Sequence, residues 1–340
     1  MTKFLIIRFS SIGDIIQCMS VISGIKERFP DAEIHWITRA DMASIPRVDG
    51  RVSVVWKFDR QEGLRGLLRL ARRLKAERFD YLYDAHSNLR SNILKAILLS
   101  PLERILRRAP GHVTRSKERW KRFLLFKLGI NTFDKPFRGV ASYRKPLYKW
   151  NITRFDDARD DWRFPPDFPE RLDALVPPGV ITLVPSANWG MKRWPLAAWQ
   201  ELVRLLPGRC FVILAGPADL FCEAIRAVAP GRVSNLAGET SLLESCYLVK
   251  KSTLVISADT GLLHAADLFR VPAIALMGPT AFGHPSGPAT RVIEVDLPCR
   301  PCTKDGRGKC RRPRTCMEEI SPATVAAAVL AIVPSSPPGR

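Results

Sequence analysis

Short apolar runs rich in β-branched and aromatic residues, KFLIIRF, AEIHWIT, VSVVWKF and FDYLYDA, recur along the first part of the chain. Between them, IIQCMSVISGIKERF and GLLRLARRLKAERF space their apolar residues at three and four. The first kind of run predicts strands and the second helices, and their alternation predicts a parallel sheet built from βαβ units. The rhythm stops between about residues 110 and 180, which are rich in Arg, Lys, Trp and Pro and include FPPDFPE and VPPG. It restarts with strands VITLVPS, CFVILAG, TLVISAD and AIALMG, separated by helices AAWQELVRLL, LFCEAIRAV and GLLHAADLF. The pattern therefore predicts two doubly wound α/β domains, residues 1–170 and 171–340, with the proline-rich stretch at their boundary. Ligands of such sheets bind outside the carboxyl ends of strands, where loops enter helices. Asp14 and Asp259 both fall at such ends.

A chain of 340 residues can bury one large or two ordinary cores, and 46% apolar with 25% charged residues is ordinary globular composition. The net charge of +20 is unusual. It favours nucleic acid, an anionic membrane surface or phosphorylated ligands as partners. Arg8 interrupts the first apolar run too early for a signal peptide. The longest apolar stretch near the end, ATVAAAVLAIV, is too short for a bilayer core of about 30 Å, so a cytoplasmic location is expected. Cys18, Cys210, Cys222 and Cys246 stand singly within apolar segments, as buried thiols do.

In SSIGD, Gly13 allows a tight turn and Asp14 projects from the first turn of a helix. An acid there serves as a helix cap or as a general base, and position alone does not choose. SADTGLLHAA repeats the arrangement: a strand ends, Asp259, Thr260 and Gly261 turn, and helix N–H groups form an anion site, with the Thr260 hydroxyl and the bare Gly261 backbone admitting a phosphate. His264 follows on the next turn, as a packed helix histidine or a ligand contact. PSANWGMKRWP places Lys192 in a loop, solvated or neutralising a diphosphate. In LAGPADLF, Asp219 or Glu223 either reaches a ribose hydroxyl or caps the next helix. Neither G-x-G-x-x-G nor G-x-x-x-x-G-K-[ST] occurs, and no D-x-D or H-E-x-x-H marks a catalytic metal. Cys299, Cys302, Cys310 and Cys316 follow C-x₂-C-x₇-C-x₅-C, a spacing compatible with structural zinc, with reduced thiols or with disulfides.

Together IIRFSSIGDIIQCMSVISGIKERFP, DAHSNLRSNIL, MKRWPLAAWQEL, LAGPAD, SADTGLLHAADLFRVPAIALMGPT and the terminal cysteine segment resemble glycosyltransferase family nine, the ADP-heptose:lipopolysaccharide heptosyltransferases. The resemblance implies the GT-B fold, two Rossmann-like doubly wound domains facing across a cleft, the first binding the acceptor and the second the nucleotide sugar. It implies metal-independent, inverting transfer of heptose from ADP-heptose to the inner core of lipopolysaccharide, on Kdo or a heptose. Asp14 is then the base. Ser10, Ser11, Gly13, Lys192, Asp259, Thr260, Gly261 and His264 serve the donor and its phosphates. The family often carries an acid after GPT where this chain has Ala281, which leaves Thr280 or His284 to substitute. Arg60, Arg65, His86 and Arg90 are candidate acceptor contacts. With Arg69, Arg72 and Arg73, these arginines either steer an anionic acceptor and the anionic inner membrane or form a solvated face. No cofactor is expected beyond the possible zinc. A sugar-nucleotide epimerase or hydrolase of the same fold, or a basic nucleic-acid-binding protein, is the alternative.

Overall fold

The computed structural model describes residues 1–99, 101, 105, 110–156, 161–312 and 315–334. The chain forms two units, Met1–Arg119 with Val140–Arg163, and Trp120–Gly139 with Phe164–Arg340. The main division thus falls at 163/164 and not at 170, and the basic, aromatic segment 120–139 leaves the first half of the sequence to pack with the second unit.

The first unit holds a five-stranded, wholly parallel sheet of β1 (Lys3–Ile7), β2 (Glu33–Arg39), β3 (Val54–Phe58), β4 (Tyr81–Asp84) and β5 (Gly111–Thr114), in the order β3-β2-β1-β4-β5. Central β1 is buried on both faces, which is why it reads as a continuous apolar run. On one face Leu5 and Ile7 meet Leu67, Leu70, Ala71 and Leu74, the three-and-four-spaced stripe of the helix Gly63–Ala76. Each such leucine contributes about 1.5–3 kcal/mol on burial. The single helix expected over residues 15–29 is two, Ile12–Met19 and Val21–Arg28, broken at Ser20, whose hydroxyl donates to the Gln17 carbonyl.

The second unit holds six parallel strands, β6 (Ile181–Val184), β7 (Phe211–Ile213), β8 (Val233–Asn235), β9 (Leu254–Ala258), β10 (Ala273–Met277) and β11 (Thr290–Glu294). Their order, β11-β10-β9-β6-β7-β8, is again doubly wound. The carboxyl-terminal helix Pro322–Ile332 packs its Val325, Ala328 and Val329 into this core. Strand order reverses between β1 and β4 in one sheet and between β6 and β9 in the other, and loops leaving those four strands lead to Asp14, His86, Lys192 and Asp259. Among the described residues, no helix is long and apolar enough to cross a membrane.

Candidate active site

β1 ends at Ile7 and the chain turns through Ser10 and Ser11 into the helix Ile12–Met19, with Asp14 at its third position. The Ser11 backbone N–H and hydroxyl donate to Asp14 Oδ2 at 3.3 and 2.8 Å, which is the capping arrangement. A cap needs nothing more. Here the Arg8 guanidinium, 5% exposed, also donates to Oδ2 at 2.6 Å. The fully buried Tyr143, on the helix Gly139–Arg144, donates its hydroxyl to Oδ1 at 2.8 Å. Arg115 lies 3.8 Å over the Tyr143 ring and donates to the Ser142 hydroxyl. Oδ2 thus accepts from three donors, whereas Oδ1 receives, among the described residues, the tyrosine hydroxyl alone.

Burial alone would push the Asp14 carboxyl up, but Arg8 first, then Arg115 and the bonds from Tyr143 and Ser11, hold it well below the usual carboxylate range. The group is ionised throughout the physiological range. Its side chain is still 37% exposed, so the carboxylate is gripped from the protein side and open to solvent on the other.

At the exit of β4, the wholly buried Asp84 accepts from the backbone of His86 and Ser87, from the Ser91 hydroxyl and from Lys95. This fixes the loop on which His86 stands edge-on to Phe9 at 5.4 Å. Burial first, then Arg8 and Lys117, pull the His86 imidazole down to about 3, and its Nδ1 is buried without a partner among the described residues. A neutral ring of this kind can either donate or accept a hydrogen bond. Arg60 and Arg65 are exposed at the exit of β3, two strands from β1. Arg90 rests 5.7 Å over the Phe58 ring, Arg73 lies 5.0 Å over Trp56, and Arg69 pairs with Glu62 at 3.5 Å. These three are engaged along the surface of the unit.

In the second unit the centre is Asp259, at the exit of β9. Its Oδ2 receives Lys192 Nζ at 2.7 Å and the Thr280 hydroxyl at 2.9 Å, and His264 Nε2 stands 3.7 Å from Oδ1. Burial would raise the Asp259 carboxyl; the nearby His264, then Lys192, hold it well below the usual range. Three loops, after β6, β9 and β10, are thereby tied at one point. The Thr260 hydroxyl is occupied as the cap of the helix Gly261–Phe269, accepting from Leu263 N–H, and contacts the Ser257 hydroxyl at 2.9 Å. That hydroxyl is committed within the loop, while the helix's own hydrogen bonds leave the first-turn N–H groups of Gly261 and Leu262 without intrahelical partners. Gly283 has no room for a side chain, because a Cβ there would stand 2.0 Å from Asp259 Cγ.

Asp219 accepts from the Ser186 hydroxyl at 2.5 Å, from Gly216 N–H at 3.1 Å and from Arg193 at 3.4 Å, and so holds together the loops after β6 and β7. Glu223 is an exposed partner of Arg226 and Asn235. His284 bonds Glu294 at 3.2 Å. Ser10, Ser11 and Gly13, expected among the donor contacts, belong to the unit that carries Asp14, and the Ser11 hydroxyl is committed to that carboxylate.

The zinc expectation finds no support. Among the described residues no group of three or more His, Cys, Asp or Glu side chains is placed to hold a metal ion. Cys316 is buried in the core with Met317, whereas Cys299 and Cys302 are exposed. The cysteine segment packs against the loop that carries Lys192. Gly306, at φ +88°, packs so closely on Lys192 that a Cβ would stand 2.6 Å from its Cγ, and Arg307 covers the Trp189 ring at 4.5 Å.

Arg8, Arg115, Tyr143 and Gly306 are the site residues that sequence patterning misses. Only Arg8 left a signal, as a charge at the end of a buried strand.

Two parallel doubly wound units with candidate sites at their loop ends are the architecture of the GT-B fold. The sequence profile of glycosyltransferase family 9 (heptosyltransferase) matches residues 67–311, and the chain belongs to that family. It is 25% identical to the lipopolysaccharide core heptosyltransferase OpsX of Haemophilus influenzae over 289 residues, 80% of this chain and 77% of that protein. Its fold is similar to that of the Escherichia coli ADP-heptose lipopolysaccharide heptosyltransferase II, with TM-score 0.73 and 20% identity over 97% of this chain and 98% of the other. The structure of the E. coli heptosyltransferase WaaC with ADP superposes with TM-score 0.68 at 19% identity, covering 98% and 100%.

Proposed function

We propose that this chain transfers heptose from ADP-heptose to the inner core of lipopolysaccharide, on Kdo or a preceding heptose, with inversion at the anomeric carbon. An acceptor hydroxyl attacks the anomeric carbon as the bond to the diphosphate oxygen breaks. The hydroxyl proton passes to Asp14 and the electron pair leaves with ADP. Oδ1 is the receiving atom, since Oδ2 already carries three donors. A carboxylate so strongly stabilised in its ionised form is a weak base at rest, and takes the proton only as the attacking oxygen becomes acidic in the transition state. Lys192 and the first-turn N–H groups of the helix Gly261–Phe269 meet the charge growing on the leaving diphosphate. Asp219, Thr280 and His264 act as organisers of those loops. The acceptor's lipid anchor places the reaction at the cytoplasmic face of the inner membrane, with peripheral contact.

The observation that carries this reading is the Asp14 carboxylate, ionised by two arginines and a buried tyrosine yet one-third open to solvent. A panel of nucleotide-heptose donors and Kdo- or heptose-terminated acceptors, read by mass spectrometry, tests it. A mass gain of one heptose that depends on Asp14 is expected. Donor turnover without any acceptor would favour a hydrolase or epimerase instead.

A further inference from the structure

The helix Arg119–Leu128 lies outside the site described above. Its sequence RWKRFLLFKL holds four basic residues and no acid. One face is anchored. Leu125 is buried, Phe126 meets Phe282 at 6.0 Å, and the Arg122 guanidinium lies 4.2 Å over that same ring. Three- and four-residue steps put Trp120, Phe123 and Lys127 on the opposite face, with Ile130 just beyond the helix end. That face is bare: Trp120 is 69% exposed, Phe123 47% and Ile130 51%, with Leu128 beside them at 57%. The Trp120 and Phe123 rings stack at 5.5 Å and 14° between planes, a preformed apolar plate flanked by cations.

We propose that this plate docks on an anionic phospholipid bilayer, the helix lying in the plane of the interface. At ten residues it is about 15 Å long, far short of a span, but an apolar face with a basic rim is what interfacial helices present, and tryptophan favours the headgroup region. Charge selects this occupant over a second copy of the chain. Residues 115–139 hold eight Lys or Arg against two Asp or Glu, in a molecule of net charge +20, so two such faces would repel while anionic headgroups attract. The inference deepens the functional reading, since a lipid-linked acceptor lies at that surface.

Co-sedimentation with phosphatidylglycerol–phosphatidylethanolamine vesicles, against phosphatidylcholine alone, tests it. The wild type is expected to bind the anionic vesicles preferentially, and Trp120→Ser with Phe123→Ser to weaken that binding by about tenfold or more. Lys127→Glu, an exposed position that leaves the fold intact, is expected to weaken it several-fold. Both variants should keep wild-type turnover with a delipidated oligosaccharide acceptor. Vesicle binding unchanged in both variants overturns the proposal, as does a wild-type dimer that the double substitution turns into monomer, because the face would then belong to a second copy. Absence of turnover with the delipidated acceptor in the wild type would instead remove the functional reading and leave the vesicle result standing.

Discussion

At the scale of single residues, the two oxygens of Asp14 have different surroundings, and this separates its roles. Asp14→Asn keeps the size and most donors but cannot take a proton. Turnover should fall by about 10² to 10⁴ while ADP affinity, measured calorimetrically, stays near wild type; unchanged turnover would remove the base assignment. Tyr143→Phe removes the only described donor to Oδ1. The carboxyl should then titrate higher, so the acid limb of the kcat/KM profile moves to higher pH, by up to about one unit for one hydrogen bond. A role confined to packing would lower the melting temperature without moving that limb. Lys192→Ala strips the cation from Asp259, and ADP binding itself should weaken, because a buried carboxylate is left without its partner.

At the scale of elements, the central strands were legible because both their faces are buried, as the unbroken apolar runs of β1, β6, β9 and β10 show. β5, β8 and β11 were not. Each is an edge strand, GHVT, VSN and TRVIE, with one buried side chain apiece, and too little apolar signal to stand out from a loop. The site divides in the same way. Asp14, Asp259 and Lys192 stand beside strand ends that periodicity locates, whereas Tyr143 reaches Asp14 from 129 positions away, a partnership only folding can reveal. The segment 120–139 followed the same logic, its aromatic residues having no period until Phe282 gave them something to pack on. Gly283 offers a test of loop packing. Gly283→Ala would overpack the Asp259 loop at a cost of about 1–3 kcal/mol, expected as a lower melting temperature and weaker ADP binding together.

For the whole molecule, each unit centres on a carboxylate held ionised by cations and hydrogen-bond donors. Folded-state values below the unfolded ones mean that this stabilisation is present above about pH 4 and is lost as pH falls through the folded values. Melting temperature should therefore decline below about pH 4, and less steeply in Asp14→Asn, which has one fewer group to protonate. The +20 charge acts at longer range. If it steers an anionic acceptor, the apparent KM for a lipid-linked acceptor should rise between about 50 and 300 mM salt, as the Debye length shrinks; a flat response would dismiss steering.

The carboxyl-terminal stretch closes over the second unit's lysine from behind: Gly306 lies against Lys192, and Trp194, two residues further on, donates its indole N–H to the Ile320 carbonyl at 2.9 Å. A protein trimmed before residue 299 would keep the sequence of every strand yet lose both the backing of that ammonium group and the helix Pro322–Ile332 that packs into the core. Weak nucleotide affinity in such a truncation would report the loss of that brace together with the core helix Pro322–Ile332, and would not weigh against the diphosphate role proposed for the loops after β6 and β9.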